Sequence, residues 1–367
     1  MNLPGRRGRV RATAAAFPHG AAALLALTIA ACGEVPPPTQ HLAMNTAGSL
    51  DRHLTMGDDL RLEENDTVIN VLTRVNLDRD GGFLVADEQE NQIRAYAANG
   101  RLLRHFGRRG AGPKEFVFLH RAMRLGSGRV LGVDYQGKGV VFDSAGRTAL
   151  HTFVAPVAPV QHARLVNDTL LLLGGRAVPR RGRETGARLH LWNLARDTVV
   201  RSFFTPPLAG PAHRLAATVG GFVGTDLRGD TVAAVFAVSD TIYFFGLDGR
   251  KLGQRPIPFR HFRRLREGGA VPGHNASVIQ AREWAGTYSM VTDVFWLRDG
   301  GFLVQYQDRV GSTPHWRLLR MRKDGTRVFE IVDSPMLLAV DPRDDTLYLM
   351  KPGALTAETW TLARLAG

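Results

Sequence analysis

The sequence contains one cysteine, Cys32, in 367 residues, so no intramolecular disulfide can form. It also lacks the spacings that commonly mark catalytic or metal sites. Its 12 histidines form neither an HxH nor an HExxH pattern, no serine lies in a G-x-S-x-G turn, and no Gly-Lys-Ser/Thr phosphate loop occurs. These absences argue against a zinc site of the usual spacing, an α/β-hydrolase and a P-loop enzyme.

Lysine is scarce, since only five of the 47 basic residues are lysine and the rest are arginine. With 34 acidic residues, the formal net charge is +13. GC-rich coding produces such an arginine bias, so the charge alone does not indicate nucleic acid. The excess positive charge favours an anionic partner or an anionic surface.

The N-terminus has no apolar run long enough to span a bilayer, but it has the pattern of a secretory signal. Four arginines within residues 6–11 precede the apolar run Ala21–Ala31. Ile29-Ala30-Ala31-Cys32 resembles the lipobox of bacterial lipoproteins, which implies cleavage before Cys32 and its acylation. We predict a lipoprotein signal peptide at 1–31, a flexible tether at 32–56 and a folded domain at 57–367.

Short apolar strands separated by Gly/Asp turns recur along the folded domain. Within Gly81–Phe116, strands are predicted at Phe83–Ala86, Gln92–Tyr96 and Leu102–Phe106. The Asn99-Gly100 pair between the last two strands predicts a two-residue turn with positive φ at both residues. The first hairpin of this pattern occurs six times, and a second hairpin follows in most copies.

Two hairpins per unit give a four-stranded antiparallel sheet, which is typical of a propeller blade. The sixth unit stops one strand short, whereas the segment of about Asp59–Val71 has strand-like residues and no unit of its own. We therefore predict an all-β fold, a six-bladed β-propeller of four-stranded antiparallel blades with the last blade closed by an N-terminal strand. An open β-sandwich or two stacked β-domains is the alternative.

One stretch of the first unit carries a more specific resemblance. Gly107–Phe116 (GRRGAGPKEF), with Val85-Ala86-Asp87, Asn91 and Ile93-Arg94, resembles the NHL-type repeat. It is similar to the bacterial six-bladed β-propeller (NHL-like) lipoproteins, whose first blade commonly ends in G-x-x-G-x-G-P-x-E-F. The resemblance covers blade 1 well, blade 2 fairly and the rest by topology only. It implies a fold and an envelope location but no reaction.

The candidate ligand-binding residues lie on one face of the predicted ring. The hairpin turns within each blade form a lower face, whereas the links between strands two and three, and between blades, form an upper face. Long loops on a rigid scaffold often carry binding residues, and arginine forks suit carboxylates and phosphates. The candidates are Arg108, Arg109, Arg176, Arg181, Arg183, Arg260, His261, Arg263, Arg264 and Arg266.

An enzyme is the alternative, because metal-dependent lactonases and an amidating lyase resemble this chain in architecture. The innermost strands are predicted to present Asn76, Arg124, His162, Arg164, Asp226, Thr292 and Asp293, which do not form a complete shell for a hard metal. We predict no catalytic residue, metal site or cofactor. Three converging acids or histidines would favour a hydrolase or lyase at the channel mouth, whereas a basic rim around an apolar, plugged channel would favour binding.

The sequence thus predicts a lipid-anchored cell-envelope propeller that binds a ligand or protein through a basic upper face. The expected partners are the membrane, through the N-terminal lipid, and an anionic ligand or acidic protein loop. Nucleic acid is not expected for an exported, tethered protein. The glycine after Cys32 favours the outer membrane, with the propeller facing the periplasm or the exterior.

Overall fold

The computed structural model describes residues 50–63, 72–78, 80–178, 186–207, 210–219, 223–265, 271–273, 276–310, 313–350 and 359–366. These residues lie in one unit, His41–Gly367. They form six four-stranded antiparallel sheets that follow one another along the chain. The predicted six-bladed propeller is confirmed. In each blade the strands are given from the innermost to the outermost.

In blades 1 to 3 the four strands of each blade follow one another along the chain. Blade 1 contains β2 (Leu72–Leu77), β3 (Phe83–Asp87), β4 (Gln92–Tyr96) and β5 (Leu102–Phe106). Two short strands, β6 (Arg108–Arg109) and β7 (Glu115–Phe116), lie on the link to blade 2. Blade 2 contains β8 (Leu119–Arg124), β9 (Val130–Asp134), β10 (Lys138–Phe142) and β11 (Ala149–Val154). Blade 3 contains β12 (Val157–Asn167), β13 (Leu170–Ala177), β14 (Leu189–Asn193) and β15 (Thr198–Phe203).

The remaining blades complete the ring. Blade 4 contains β16 (Val223–Arg228), β17 (Thr231–Phe236), β18 (Thr241–Gly246) and β19 (Lys251–Pro256). Blade 5 contains β20 (Met290–Trp296), β21 (Phe302–Val310), β22 (Thr313–Met321) and β23 (Arg327–Val332). Blade 6 contains β24 (Leu337–Val340), β25 (Leu347–Met350) and β26 (Thr359–Leu365), with β1 (Leu54–Arg61) as its outer strand.

The hydrophobic core consists of six clusters, and each cluster lies between two neighbouring blades. Between blades 6 and 1, for example, Trp360 and Tyr348 pack with Phe83, Val85 and Tyr96. A middle strand is therefore covered on both faces, which is why β3 is buried at every residue and shows no alternation. Outer strands face solvent on one side, and they keep a mixed burial pattern.

The turn between the third and fourth strands of blade 1 differs in its backbone conformation from the prediction. In the Asn99-Gly100 turn only Gly100 has positive φ, at 83°, and its N–H donates to the Ala97 carbonyl at 3.0 Å. The strand register then shifts between Ala95 and Tyr96. This is a type I turn followed by a bulge, a connection that also suits the strand twist and needs only one left-handed residue. The predicted positive φ at both residues was wrong.

The ring is closed as predicted, but by an earlier segment than expected. Strand β1 pairs antiparallel with β26, from Leu54 opposite Leu365 to Arg61 opposite Thr359. Leu54 is buried, and Leu50 packs with it in the core between blades 5 and 6. The predicted tether of 32–56 and the predicted domain start at residue 57 therefore place the boundary too late. Leu62 and Glu63 follow the closing strand, and the rest of the predicted segment, residues 64–71, lies outside the described residues.

Two of the long upper-face links contain a helix. Helix α1 (Gly210–Val219) lies between blades 3 and 4, and helix α2 (Val278–Ala285) lies between blades 4 and 5. A capping box starts α2, because Ser277 Oγ accepts from Gln280 N at 3.2 Å and Gln280 Oε1 accepts from Ser277 N at 2.8 Å. The two helices contact each other. These two links therefore contain regular secondary structure of their own.

Candidate functional site

The six innermost strands enclose a cavity of about 580 Å³ on the axis of the ring. Every blade contributes at least two lining residues. Leu77, Arg228 and Pro342 belong to this lining and lie next to first-hairpin turns, so the cavity reaches the lower face. Its volume falls within the range of about 300–1,000 Å³ that is usual for small-molecule sites.

One wall of this channel is polar, and blades 2 to 5 supply it. Its side chains are Arg121 on β8, His162 and Arg164 on β12, Asp226 on β16 and Asp293 on β20. Arg121, His162 and Asp293 are at most 5% exposed, so they form the deep end of the wall. The side chain of Arg164 is 31% exposed and that of Asp226 is 17% exposed, so these two are nearer to the opening.

His162 lies at the centre of a hydrogen-bond network that joins three blades. Its Nδ1 lies 2.7 Å from Thr225 Oγ1, and its Nε2 lies 3.6 Å from Asp293 Oδ1. Because Nε2 faces a carboxylate, the tautomer with its proton on Nε2 is favoured, and Nδ1 then accepts from the Thr225 hydroxyl. Burial lowers the pKa of His162 to about 3; Asp293 opposes this shift, whereas Arg121 and Arg164 reinforce it. The imidazole is thus neutral at physiological pH.

Asp226 is held by backbone donors as well as by an arginine. Its Oδ2 accepts from Trp296 N at 2.6 Å, and its Oδ1 accepts from Leu227 N at 2.8 Å. Arg164 Nη1 lies 3.4 Å from Asp226 Oδ1, while Arg164 Nε donates to the Thr225 carbonyl at 2.7 Å. Burial raises the pKa of Asp226, and Arg164 and the backbone donors oppose that shift. The network fixes the position of the Arg164 guanidinium at the side of the cavity.

The opposite wall is apolar and belongs to blades 5, 6 and 1. Leu338, Ala339 and Val340 on β24 line it, with Val75 and Leu77 on β2 beside them. Blade 5 adds Phe295, Trp296 and Leu297. Asn76 lies among them, and Leu338, Phe295 and Leu297 are buried in the cores between blades, so the half-buried apolar residues of this wall are Leu77, Trp296 and Val340. The channel therefore has one charged wall and one mainly apolar wall.

Two further arginines lie at the lower-face mouth of the channel. Arg228 reaches from blade 4 to blade 5, where Nη1 and Nη2 donate to the carbonyls of Leu297 and Arg298 at 3.2 and 3.3 Å. Both Arg228 and Arg298 are exposed and line the cavity. Arg124 is at the same end of β8 but outside the lining, since its Nε donates to Asp78 Oδ2 at 2.6 Å. The charged lining thus comprises four arginines and two aspartates.

The predicted upper-face residues are distributed over several blades. Arg108 and Arg109 lie on the link between blades 1 and 2, and Arg176 is exposed on β13 of blade 3. Arg108 Nη2 lies 2.8 Å from Glu115 Oε1, and Arg109 Nη2 donates to the Gln89 carbonyl at 2.9 Å. The Gly112 N–H and then Arg108 lower the pKa of Glu115. These charges help to hold the link in which they lie.

The link after blade 4 brings Arg260, His261, Arg263 and Arg264 together in one segment. Glu330 on β23 anchors the start of this segment. Its carboxylate accepts from Arg260 N at 2.8 Å and from His261 N at 3.4 Å, and Tyr306 donates to it as well. The backbone of this arginine-rich segment is therefore fixed against blade 5, while its side chains point to other partners.

The side chains of Arg263 and Arg264 remain accessible although each has an acidic neighbour. Arg263 Nε lies 3.6 Å from Asp308 Oδ1, and Arg264 Nη2 lies 2.6 Å from Asp240 Oδ2. The two arginine side chains are 43% and 78% exposed. A second cavity of about 320 Å³, lined by Phe236, Tyr243, Phe262 and others, includes Arg264 and Asp240.

Some predicted positions lie outside the described residues. They are Cys32, Arg181, Arg183 and Arg266. Among the residues that are described, no group of three or more His, Cys, Asp or Glu side chains could hold a metal ion. In that same part of the chain, no helix is both long and apolar enough to cross a membrane. The described residues leave an open cavity on the axis, so they do not form the apolar, plugged channel that would have favoured binding.

The sequence located several channel residues but did not identify them as a site. Asn76, His162, Arg164, Asp226 and Asp293 were expected on innermost strands, and all five line the cavity. They were considered only as metal ligands. Thr292, expected with them, instead donates to the Gln305 carbonyl at 3.2 Å. Arg121 and Arg228 were missed, although they lie three residues before Arg124 and two residues after Asp226, on strands that were already assigned to the channel.

Comparison with known proteins gives a likeness in fold. The chain is similar to the crystal structure of a candidate exported protein from Bacteroides fragilis, with 12% identity and a TM-score of 0.59 over 88% of this chain and 97% of that one. It is also similar to a member of the DUF4221 family from Bacteroides vulgatus, with 8% identity and a TM-score of 0.61 over 85% and 97%. No protein-family profile and no curated protein sequence matches the chain.

Proposed function

We propose that this chain is an exported, lipid-anchored propeller of the cell envelope that binds a small ligand in its central channel. The observation that carries the proposal is the 580 Å³ cavity, where charged groups of four blades face a mainly apolar wall. A concave volume with a few convergent polar groups is the usual form of a small-molecule site. The predicted lipobox at Cys32 and the exported relative in fold support the location.

Binding is favoured over catalysis by the state of the central histidine. An imidazole whose pKa is about 3 is too weak a base for efficient proton abstraction near neutral pH. Both ring nitrogens also face fixed groups, Thr225 and Asp293. His162 therefore orients its neighbours and offers a neutral polar surface. A hydrolase or lyase remains the second candidate, since the channel mouth contains both acids and arginines.

The upper face is a second candidate surface for the same binding role. Arg263 and Arg264 lie in one anchored segment with exposed guanidinium groups, beside the smaller cavity. Their carboxylate neighbours neutralise part of that charge. An acidic protein loop or an anionic head group that displaced Asp240 or Asp308 would find two arginine forks at this place.

Native mass spectrometry of the full chain, isolated from its own cell envelope, tests the proposal. The wild type should release a small molecule, Arg164→Gln should lose it, and a double Arg263→Ala, Arg264→Ala variant should retain it. Arg124→Gln is the matched control, because it removes an arginine from the same end of an inner strand without changing the cavity lining.

Loss of the bound molecule only in the Arg263→Ala, Arg264→Ala variant would move the site to the upper face. A wild-type protein that carries no small molecule in its native envelope, and gains none from an envelope extract, would contradict channel binding. Turnover of an extract component that depends on Asp226 or Asp293 would favour the enzyme. Membrane release of a Cys32→Ala variant tests the lipid anchor independently.

A further inference from the structure

We infer that the channel ligand is an amphipathic monocarboxylate, a small molecule with one carboxylate and an alkyl or aromatic body. This inference rests on the proposed function, since it names the ligand class of the same cavity. It follows from three features of the lining, namely its charge balance, the division of its walls and the position of Arg164.

The charge balance favours an anionic ligand. Four arginines and two aspartates line the cavity, and the buried His162 adds no charge. The excess of positive charge attracts an anion, and a guanidinium fork matches the two oxygens of a carboxylate. Asp226 and Asp293 lie on the same wall, and they would repel the second charge of a phosphate group.

Arg164 is the group best placed to receive that carboxylate. Its Nε is fixed by the Thr225 carbonyl, and Nη1 lies 3.4 Å from Asp226, which is longer than a good hydrogen bond. About a third of its side chain is open to the cavity. The guanidinium is thus already oriented, so a ligand does not have to order a flexible side chain when it binds.

The mainly apolar wall indicates the chemistry of the part of the ligand that does not carry the carboxylate. Leu77, Val340 and Trp296 are the half-buried apolar residues of this wall, and Asn76 adds a polar side chain beside Leu77. A sugar or another polyol would lose hydrogen bonds to water along this wall without gaining replacements. An alkyl chain or an aromatic ring would gain free energy in proportion to the apolar area that it buries. The two walls together select a molecule that is charged at one end only.

Isothermal titration of the full chain in neutral lipid nanodiscs with matched probes tests this inference. The probes are 3-phenylpropionate and decanoate, their uncharged amides, and acetate. We expect each of the two acids to bind at least tenfold more tightly than its amide and than acetate. Arg164→Gln should weaken acid binding by roughly tenfold to a hundredfold, the effect of removing a charge-assisted hydrogen bond. Val340→Asn should weaken acid binding as well, whereas Arg124→Gln should not.

The experiments distinguish failure of this ligand assignment from failure of the proposed function. Equal affinity for acid and amide, or for acid and acetate, would overturn the ligand class, while an endogenous molecule lost in Arg164→Gln would keep the channel as the site. Tighter binding of decyl phosphate than of decanoate would also overturn the carboxylate assignment. Acid binding that is unchanged in Arg164→Gln would overturn the site. Absence of both acid binding and any endogenous molecule would reject the inference and the proposed function together.

Discussion

The upper face and the central channel both concentrate arginine, but they use it differently. On the upper face, Arg108 and Arg264 each contact one carboxylate and remain more than three-quarters exposed. In the channel, Arg164 is only 31% exposed and belongs to a network that joins three blades. Exposed pairs are screened by water, whereas partly buried groups keep more of their interaction energy.

This contrast shows why the number of arginines did not locate the channel as a candidate site. The links of the upper face carry more arginines than the channel, but they are spread over several links, and Arg108, Arg263 and Arg264 each lie near an acid. The channel brings side chains of different blades into one concave volume because all six inner strands converge on the axis. Convergence is a property of the ring, so the closure of the ring is the first condition to test.

Removal of the closing strand should have the largest effect. Deletion of residues 50–61 removes β1 and the buried Leu50 and Leu54, exposing the edge of β26 and the core between blades 5 and 6. We expect loss of the cooperative thermal transition, measured by calorimetry. Leu54→Ala alone should lower the unfolding free energy by about 2–5 kcal/mol. Leu103→Ala, at a 48% exposed position on β5, is the control and should cost less than about 1 kcal/mol.

A transition unchanged by the deletion would show that blade 6 does not need β1. The convergence of side chains in the channel could then not be attributed to closure of the ring by β1.

The second prediction compares an acid of the channel with an acid of the upper face. Asp226→Ala should destabilise the fold by about 2–4 kcal/mol, because the Trp296 and Leu227 N–H groups lose their acceptor and Arg164 loses its partner. Asp240→Ala should cost less than about 1 kcal/mol, since its partner Arg264 is largely solvated. Urea unfolding of both variants measures the difference. Equal costs would contradict the contrast between the two regions.

The third prediction concerns pH and depends on burial of His162. Its pKa is about 3 in the fold and 6.5 in its ordinary state, so the unfolded chain binds one more proton between these pH values. The His162 contribution to stability is therefore lost as pH falls below about 6.5, at up to about 1.4 kcal/mol per pH unit. Asp226, whose pKa is raised, acts in the opposite direction.

The variant His162→Gln isolates this contribution from the other titrating groups. Urea unfolding at pH 7, 6 and 5 should show a smaller loss of stability for the variant than for the wild type. Parallel dependence of the two proteins on pH would mean that folding does not lower the pKa of His162, so that the imidazole is protonated in the fold below about pH 6.5. In that case the channel would carry an additional positive charge.

The fold could be predicted from the sequence because each blade repeats the same local signals. Phe83, Gln92 and Leu102 begin their strands where the turn residues predicted, and Gly100 supplies the one left-handed residue of its turn. The closing strand was placed too late, since Leu54 and Met56 give only a short alternation next to a polar region. Whether Leu54 is buried depends on blades 5 and 6, which lie about 240 residues or more further along the chain.

The candidate site was less predictable because it depends on distances between blades. The sequence places His162 and Asp293 on inner strands, but their separation of 3.6 Å follows from the curvature of the ring. The acidic partners of the upper-face arginines were invisible for the same reason, as Asp308 and Asp240 belong to other links and strands. Local patterns specify the strands, and the ring specifies which side chains meet.

The smallest expected effect belongs to the upper face. Replacement of both Arg263 and Arg264 by alanine should change the unfolding free energy by less than about 1 kcal/mol, since both ion pairs are partly or largely solvated. The difference from the wild type should shrink further when salt is raised from 0.05 to roughly 0.5 M, because screening weakens exposed pairs. Urea unfolding at both salt concentrations measures it. A loss of several kcal/mol that persists at high salt would mean that Arg317 and Ser289, the other partners of the buried Asp308, do not compensate for the loss of Arg263. The upper face would then resemble the channel, and its arginines would be structural groups with little freedom to bind a ligand.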